Sequence, residues 1–360
     1  MTEFTPGLDL NEQFYHEVVR PILAAHFPGL AHGAARLGNG SEVLGFDDGM
    51  STDHDWGIRQ QLFLREEDIE RWGTAVTQTL AHHLPPTYCG YAVHFGPPDE
   101  EGARLPEQIE SGPVSHRIEV TTAKRFFEGH LGVDPVGEWT AVEWAIIPQQ
   151  RLLTLTAGRV FADDLGELAP LRQKLAYFPH AVWLYLLACQ WRRIGQEDHF
   201  VGRTGIRGDD IGSRLLAARL VHDVMMLGFL YEKRYAPYPK WFGSAFNRLD
   251  CAAELSPILQ AVLAATDWQT RESHLCAAFK VLGEMHNRLQ ITPPLLTGCQ
   301  SYYGRPFRVH VGDYAGTIWA AIGDEQVKKL PHLGSVDQMS DNTDLCSYPD
   351  NYGRLRPLYR

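Results

Sequence analysis

The chain changes texture near Leu168, and that change constrains its fold more than any other feature. Before it, short apolar runs of strand length alternate with helical periods and Gly/Pro turns; beyond it, strand signals nearly vanish. The spacing predicts a helix over residues 11–26, with Phe14, Val18, Ile22 and Ala25 on one face, stopped by Pro28-Gly29. A short run over 34–37 leads into Gly38-Asn39-Gly40-Ser41, which is turn chemistry, and an extended segment is expected over 53–64. Asp68 is placed to cap a helix with Ile69, Trp72, Val76 and Leu80 as its buried stripe. Further strands are expected over 91–96, 116–122 and 158–162. Residues 181–192, 210–233 and 272–289 then read as long helices, Pro237 and Pro239 interrupt the run, and the tail from Thr297 shows no period. The expected architecture is α+β: a small mixed sheet with flanking helices over 1–168, then a mainly helical domain over 169–360.

Charge limits the partners. A formal net charge of -11 over 360 residues argues against general nucleic-acid binding, which needs clustered Lys and Arg, but leaves room for a local polyanion pocket. The six cysteines form no CxxC pair, so neither a zinc knuckle nor a redox motif is expected. No basic leader with an apolar run opens the chain, and no apolar stretch approaches membrane-spanning length. The expectation is a cytoplasmic protein with reduced thiols and no membrane partner.

The chemistry-bearing stretch is residues 40–57, a Gly-Ser turn followed by a Gly/Asp loop and Asp53-His54-Asp55-Trp56. On a strand, Asp53 and Asp55 share one face about 6–7 Å apart, with His54 and Trp56 turned to the other. Side-by-side acids raise each other's pKa, and a divalent cation such as Mg²⁺ removes that cost. Glu119, between Ile118 and Val120, completes a triad if its strand neighbours the first, and three carboxylates at a sheet edge hold two metals for in-line displacement at phosphorus. Asp47 and Asp48 read as loop residues bonding their own backbone. In the second half Lys240, in the rigid aromatic run Tyr235 to Trp241, and Arg203, between Gly202 and Thr204, are candidate phosphate-binding cations. Lys240 is expected to face the cleft opposite Asp53 and Asp55. The alternative for both is a surface side chain covering nearby rings. P-loop, dinucleotide, nucleophile-elbow and HExxH patterns are all incomplete.

Gly-Ser, a spacer, Asp-x-Asp and a later strand acid resemble the nucleotidyltransferase superfamily that contains kanamycin and lincosamide nucleotidyltransferases. The likeness extends to an uncharacterised bacterial branch with a C-terminal helical domain, through residues 200–204, 209–213 and 235–241. The resemblance implies a nucleotidyltransferase-type sheet, with Gly40 and Ser41 holding the β- and γ-phosphates of ATP or another nucleoside triphosphate. It implies Asp53, Asp55 and Glu119 as ligands of two Mg²⁺ ions, and transfer of a nucleoside monophosphate, AMP by analogy, to a hydroxyl or amine of a small acceptor with release of pyrophosphate. Two alternatives stand beside it: an HD-like metal phosphohydrolase built on His222-Asp223 with His180 and His199, and a nucleotide-binding module without turnover.

Overall fold

The computed structural model describes residues 4–53, 55–100 and 102–360, with Asp53 described through its backbone. His54 and the Asp53 side chain therefore lie outside the described residues. The chain forms two compact units, Met1–Glu138 with Arg151–Ala176, and Trp139–Gln150 with Tyr177–Arg360.

In the first unit, helix Gly7–Phe14 continues through a π turn, Tyr15–Val19, into Arg20–His26. The wider turn rotates the buried face, so Leu10, Phe14, Tyr15, Val19 and Leu23 go inside while Ala25, expected inside, is exposed. Four strands make the sheet: β1 (Gly33–Arg36), β2 (Arg59–Phe63), β5 (Arg117–Thr121) and β6 (Arg159–Asp163), in the order β5-β2-β1-β6. Between β2 and β5 a separate hairpin pairs β3 (Thr87–Tyr88) with β4 (Tyr91–Ala92). β1 runs antiparallel to both β2 and β6, and β2 runs parallel to β5. Helix Glu66–His83 starts after Arg65 without a side-chain cap, leaving Asp68 in its acidic first turn. Its Val76 and Leu80 join Leu10, Phe14, Leu62 and Ile118 in one core cluster. Each such side chain contributes about 1.5–3 kcal/mol by burial.

The extended segment expected over 53–64 is shorter than the apolar pattern suggests. Gly49–Asp53 is a 3₁₀ turn, Asp55 and Gly57 take positive φ (46° and 117°), and strand geometry begins at Arg59. The Asp48 carboxylate drives this by accepting from Met50 N (2.8 Å) and Ser51 N (3.2 Å). Asp47 instead bonds distant groups, Gly7 N at 2.7 Å and Trp56 Nε1 at 3.1 Å, and so seats Trp56 in the core. Asp53 and Asp55 are thus not two positions of one strand face.

The second unit is mainly helical. Asp209 and Asp267 accept from Gly212 N and Thr270 N, both at 2.8 Å, and so start the long helices Asp210–Tyr231 and Trp268–Leu289. A third long helix, His180–Glu197, packs beside Asp210–Tyr231. The segment with two prolines turns into helix Pro239–Phe246, Pro239 sitting where a missing N–H costs nothing. The tail carries a hairpin, β7 (Cys299–Ser301) with β8 (Arg308–His310), and several short helical turns. Among the described residues no helix is long and apolar enough to cross a membrane.

Candidate active site

Strand directions put one edge of the first unit's sheet to use. β1 exits where β2 enters because they are antiparallel, and β5, parallel to β2, enters at the same edge. Arg36 at the end of β1, Arg59 and Gln61 on β2, and Arg117 and Glu119 on β5 therefore converge, with Gln61 directly beside Glu119 in register. They line a cleft of about 360 Å³ together with Gly38, Asn39, Arg104, His116 and His130.

Behind the cleft stands a buried carboxylate, Glu42. Its Oε1 accepts from Arg36 Nε (2.9 Å), Arg36 Nη2 (2.7 Å) and Arg59 Nη2 (2.8 Å). Burial alone would raise its pKa; the Arg36 and Arg59 charges outweigh that and hold the carboxyl below its usual range. Arg59 is drawn down to about 10 by burial and by Arg36, so it remains a cation at neutral pH. Gly40 makes room for this cluster: a Cβ there would lie 2.4 Å from Glu42 Oε2 and 2.7 Å from Arg36 Nη2. Glycine is required here both by this side-chain crowding and by its positive φ of 152°.

Four guanidiniums thus face the cleft. Arg117 is ion-paired with Asp55, and Arg59 Nη1 stands 3.9 Å from the same carboxylate. Arg104 donates to neutral oxygens, Phe95 O at 2.9 Å, Gly96 O at 2.7 Å and Ser115 Oγ at 2.6 Å, so none of these partners cancels its charge. Against Glu42, Asp55 and Glu119, the four guanidiniums leave this edge with a surplus of one positive charge in a chain of net charge -11.

Glu119 is the carboxylate in the cleft wall. It meets solvent, yet surrounding protein raises its pKa above the ordinary value, with the Gln61 hydrogen bond and the Arg36 charge opposing the rise. Gln61 is itself fixed, because its Oε1 accepts from Leu37 N at 2.9 Å. The two histidines differ. His116 donates from Nε2 to Thr77 O and accepts at Nδ1 from Ile118 N, which engages both nitrogens and locks it neutral. His130 Nδ1 donates to Phe126 O (2.9 Å), leaving Nε2 as an unprotonated acceptor close to Gly38. Burial first, then Arg151 and Arg36, lowers its pKa.

Of the residues expected from sequence, Glu119 lines the cleft, and Asp55 is held by Arg117, which lines it. Gly40 and Ser41 follow directly on the cleft residues Gly38 and Asn39, and residues 41–45 form turns. Among the described residues no group of three His, Cys, Asp or Glu side chains fits a metal ion. The Asp53 side chain, one of the three expected ligands, lies outside the residues so described. Arg203 and Lys240 belong to the second unit, both exposed, over the Phe200 ring (5.7 Å) and the Trp241 ring (5.0 Å). His222 stacks on Phe242, and its neighbour Asp223 is buried and held by Gln190 and Arg193. The sequence gives no local motif for Arg36, Arg59, Arg104 and Arg117; strand register brings Arg36, Arg59 and Arg117 together, and Arg104 joins them from a loop through its hydrogen bonds to Phe95 O, Gly96 O and Ser115 Oγ.

Comparison with known proteins adds one finding. A family model described as a domain of unknown function (DUF4037) matches residues 144–242. The matched segment contains Arg203 and Lys240 and stops short of the cleft residues on β1, β2 and β5. No curated protein and no solved structure matches the chain.

Proposed function

We propose that the chain is a nucleotidyltransferase, moving a nucleoside monophosphate from a triphosphate to a hydroxyl or amine of a small acceptor. The observation that carries this reading is the convergence of four guanidiniums and the Glu119 carboxylate on a single cleft at the sheet edge. The cleft's size suits one small ligand rather than a polymer. Its guanidiniums suit a polyphosphate, which they meet as planar, fixed donors. The mixed pairing of β1, β2 and β5, with Glu119 beside β2, agrees with the resemblance drawn from the Gly-Ser and Asp-x-Asp pattern.

In this reading Arg59, Arg104 and Arg117 hold the phosphates, and Arg36, nearly consumed by its own hydrogen bonds, adds field. The acceptor oxygen or nitrogen bonds to the α-phosphorus, the bond to the β-phosphate oxygen breaks, and pyrophosphate leaves. The acceptor's proton passes to the Glu119 carboxylate, whose raised pKa makes it a better base than an ordinary glutamate. Mg²⁺, implied by the resemblance, would supply charge neutralisation on the phosphates.

The test is pyrophosphate release from each nucleoside triphosphate with Mg²⁺ and a metabolite extract, followed by mass spectrometry of nucleotidylated products. Glu119→Gln should lower turnover by about 10²-fold while the triphosphate still binds. A folded Glu119→Gln protein with parental turnover overturns the assignment of the base. The pairing of Asp55 with Arg117 favours one second reading, a binding module without turnover. In that case triphosphate binds and stays intact with every acceptor.

A further inference from the structure

We propose that the second unit carries its own anion site, formed by Arg203, Arg305 and the Nε2 of His199, for the phosphate group of a small organic phosphate. The inference does not depend on the transferase reading.

The β7–β8 hairpin fixes one side. Tyr302 N donates to Phe307 O, Arg305 N donates to Tyr302 O (both 3.0 Å), and Tyr303 and Gly304 take positive φ at the tip. Arg305 is thereby held over the Tyr302 ring, its Cζ 5.9 Å from the centroid. Helix Phe200–Ile206 supplies the other side, with Arg203 over Phe200. His199 joins the two, 4.1 Å from the Phe200 ring and 5.0 Å from Tyr302, nearly parallel to the latter at 20°. Cation–π contacts hold both guanidiniums against aromatic faces and leave their N–H groups free to donate.

Nothing in the described protein neutralises these cations. Among the described residues neither Arg203 nor Arg305 makes an ion pair, and both are exposed. The two nearby carboxylates are committed elsewhere. Asp198, buried, accepts from His310 N (3.0 Å) and Nδ1 (2.8 Å), and Glu272 accepts from Arg308 N (2.9 Å) and Nε (3.2 Å). His199 turns Nδ1 toward Asp198 at 3.7 Å, which leaves Nε2 without a partner among the described residues. Burial lowers the His199 pKa most; Arg203 and Arg305 lower it further, against Asp198. The ring contacts run from Arg203 through Phe200 to His199 and from Arg305 through Tyr302 to the same imidazole, so the three groups share a neighbourhood. Such a cluster is costly alone, and an oxyanion accepting two guanidinium donations and one imidazole N–H removes the cost. Phosphate fits by charge and by bidentate geometry. A net charge of -11 sets the chain against a polynucleotide and for a small ligand.

The site is read through His199. With histidine-labelled full-length protein, its ring resonance is assigned from the spectrum of His199→Gln and followed across pH. Inorganic phosphate should shift it saturably and raise its titration midpoint; AMP should do the same, and chloride at matched ionic strength should not. Arg203→Ala with Arg305→Ala, two exposed changes, should weaken the phosphate response by about tenfold or more. Glu119→Gln should keep that response whole, so failure of the transferase reading stays separable from failure here. Equal shifts with chloride and phosphate, or a double variant that responds like the parent, would overturn the site. A response to short single-stranded RNA without one to AMP would overturn the small-ligand class.

Discussion

Each unit buries arginine, and the two arrangements differ in what they leave over. In the helical unit Arg271 is buried and donates to Ser213 Oγ (2.6 Å), Asp210 Oδ1 (3.0 Å) and Ala265 O (3.2 Å), a local closure of one helix against another. In the sheet unit Arg36 and Arg59 share a single buried carboxylate, Glu42, and the surplus charge faces an open cleft. Closed charge marks structure; surplus charge directed at a cleft marks a place for a ligand. The comparison breaks or holds on how each unit responds when its cluster is cut.

The largest effect should come from that cut. Removing one partner of a buried ion pair costs about 3–5 kcal/mol, so Glu42→Ala should lower stability substantially in denaturant unfolding. Arg271→Ala should destabilise too, by emptying a buried site and unpairing Ser213 Oγ, since its carboxylate partner Asp210 is exposed. Added ATP should separate them. Glu42→Ala leaves two cations without a counter-ion beside the cleft, and triphosphate binding then restores more stability than in the parent. Arg271→Ala should gain no more from ATP than the parent does. Equal ATP-dependent recovery in both variants would erase the distinction between the clusters.

A smaller effect tests the carboxylates. Glu42 has its pKa lowered by two guanidiniums, whereas in the second unit burial raises Asp337 to about 6 despite hydrogen bonds from Gln149 N and a contribution from His222. A raised folded-state pKa gives stability that is complete below the unfolded value, near 4, and is lost as pH rises through about 6. Asp337→Asn removes this loss. The melting temperature of the variant, minus that of the parent, should therefore be higher at pH 7.5 than at pH 5, on the order of a few degrees. The difference is the right readout because His286, lowered to about 4 by burial, destabilises both proteins alike on acidification between about 6.5 and 4. A difference that is flat with pH would show Asp337 already ionised and satisfied.

The same contrast explains what was legible in the sequence. Long helices such as Asp210–Tyr231 announce themselves through local apolar texture and Asp caps, and β5 through the alternation around Glu119. Hairpin β3–β4 was invisible because its turn, Cys89-Gly90 with both φ positive, lacks the usual Asn-Gly or Asp-Gly signal. At Asp53 and Asp55 the Asp-x-Asp motif pointed to a strand, while Asp48, Gly49, Ser51 and Gly57 supplied turn chemistry that prevailed. The cationic cleft had no local signal at all: strand register brings Arg36, Arg59 and Arg117 together from distant parts of the chain, and loop hydrogen bonds add Arg104. Glu42 sat next to the Gly-Ser pair in plain view, but nothing local distinguishes a buried counter-ion from a surface acid.

The smallest effect concerns Lys240, the cation of the second unit whose rigid aromatic run made it a candidate for triphosphate binding. Pro239 opens its helix, Trp241 Nε1 donates to Tyr238 Oη at 2.8 Å, and the ammonium rests over the Trp241 ring. That ring contact is worth about 0.5–1 kcal/mol at an exposed site, and Lys240→Ala should change stability by no more. As an exposed point charge, Lys240 acts on a polyanion through a screened field, so its removal should weaken ATP binding by about threefold at low salt and by less at physiological ionic strength. Titration calorimetry at two salt concentrations gives both numbers. An unchanged affinity at low salt would assign Lys240 to its aromatic neighbour alone and leave the triphosphate's cations entirely in the sheet unit, which sharpens the contrast between the two buried clusters.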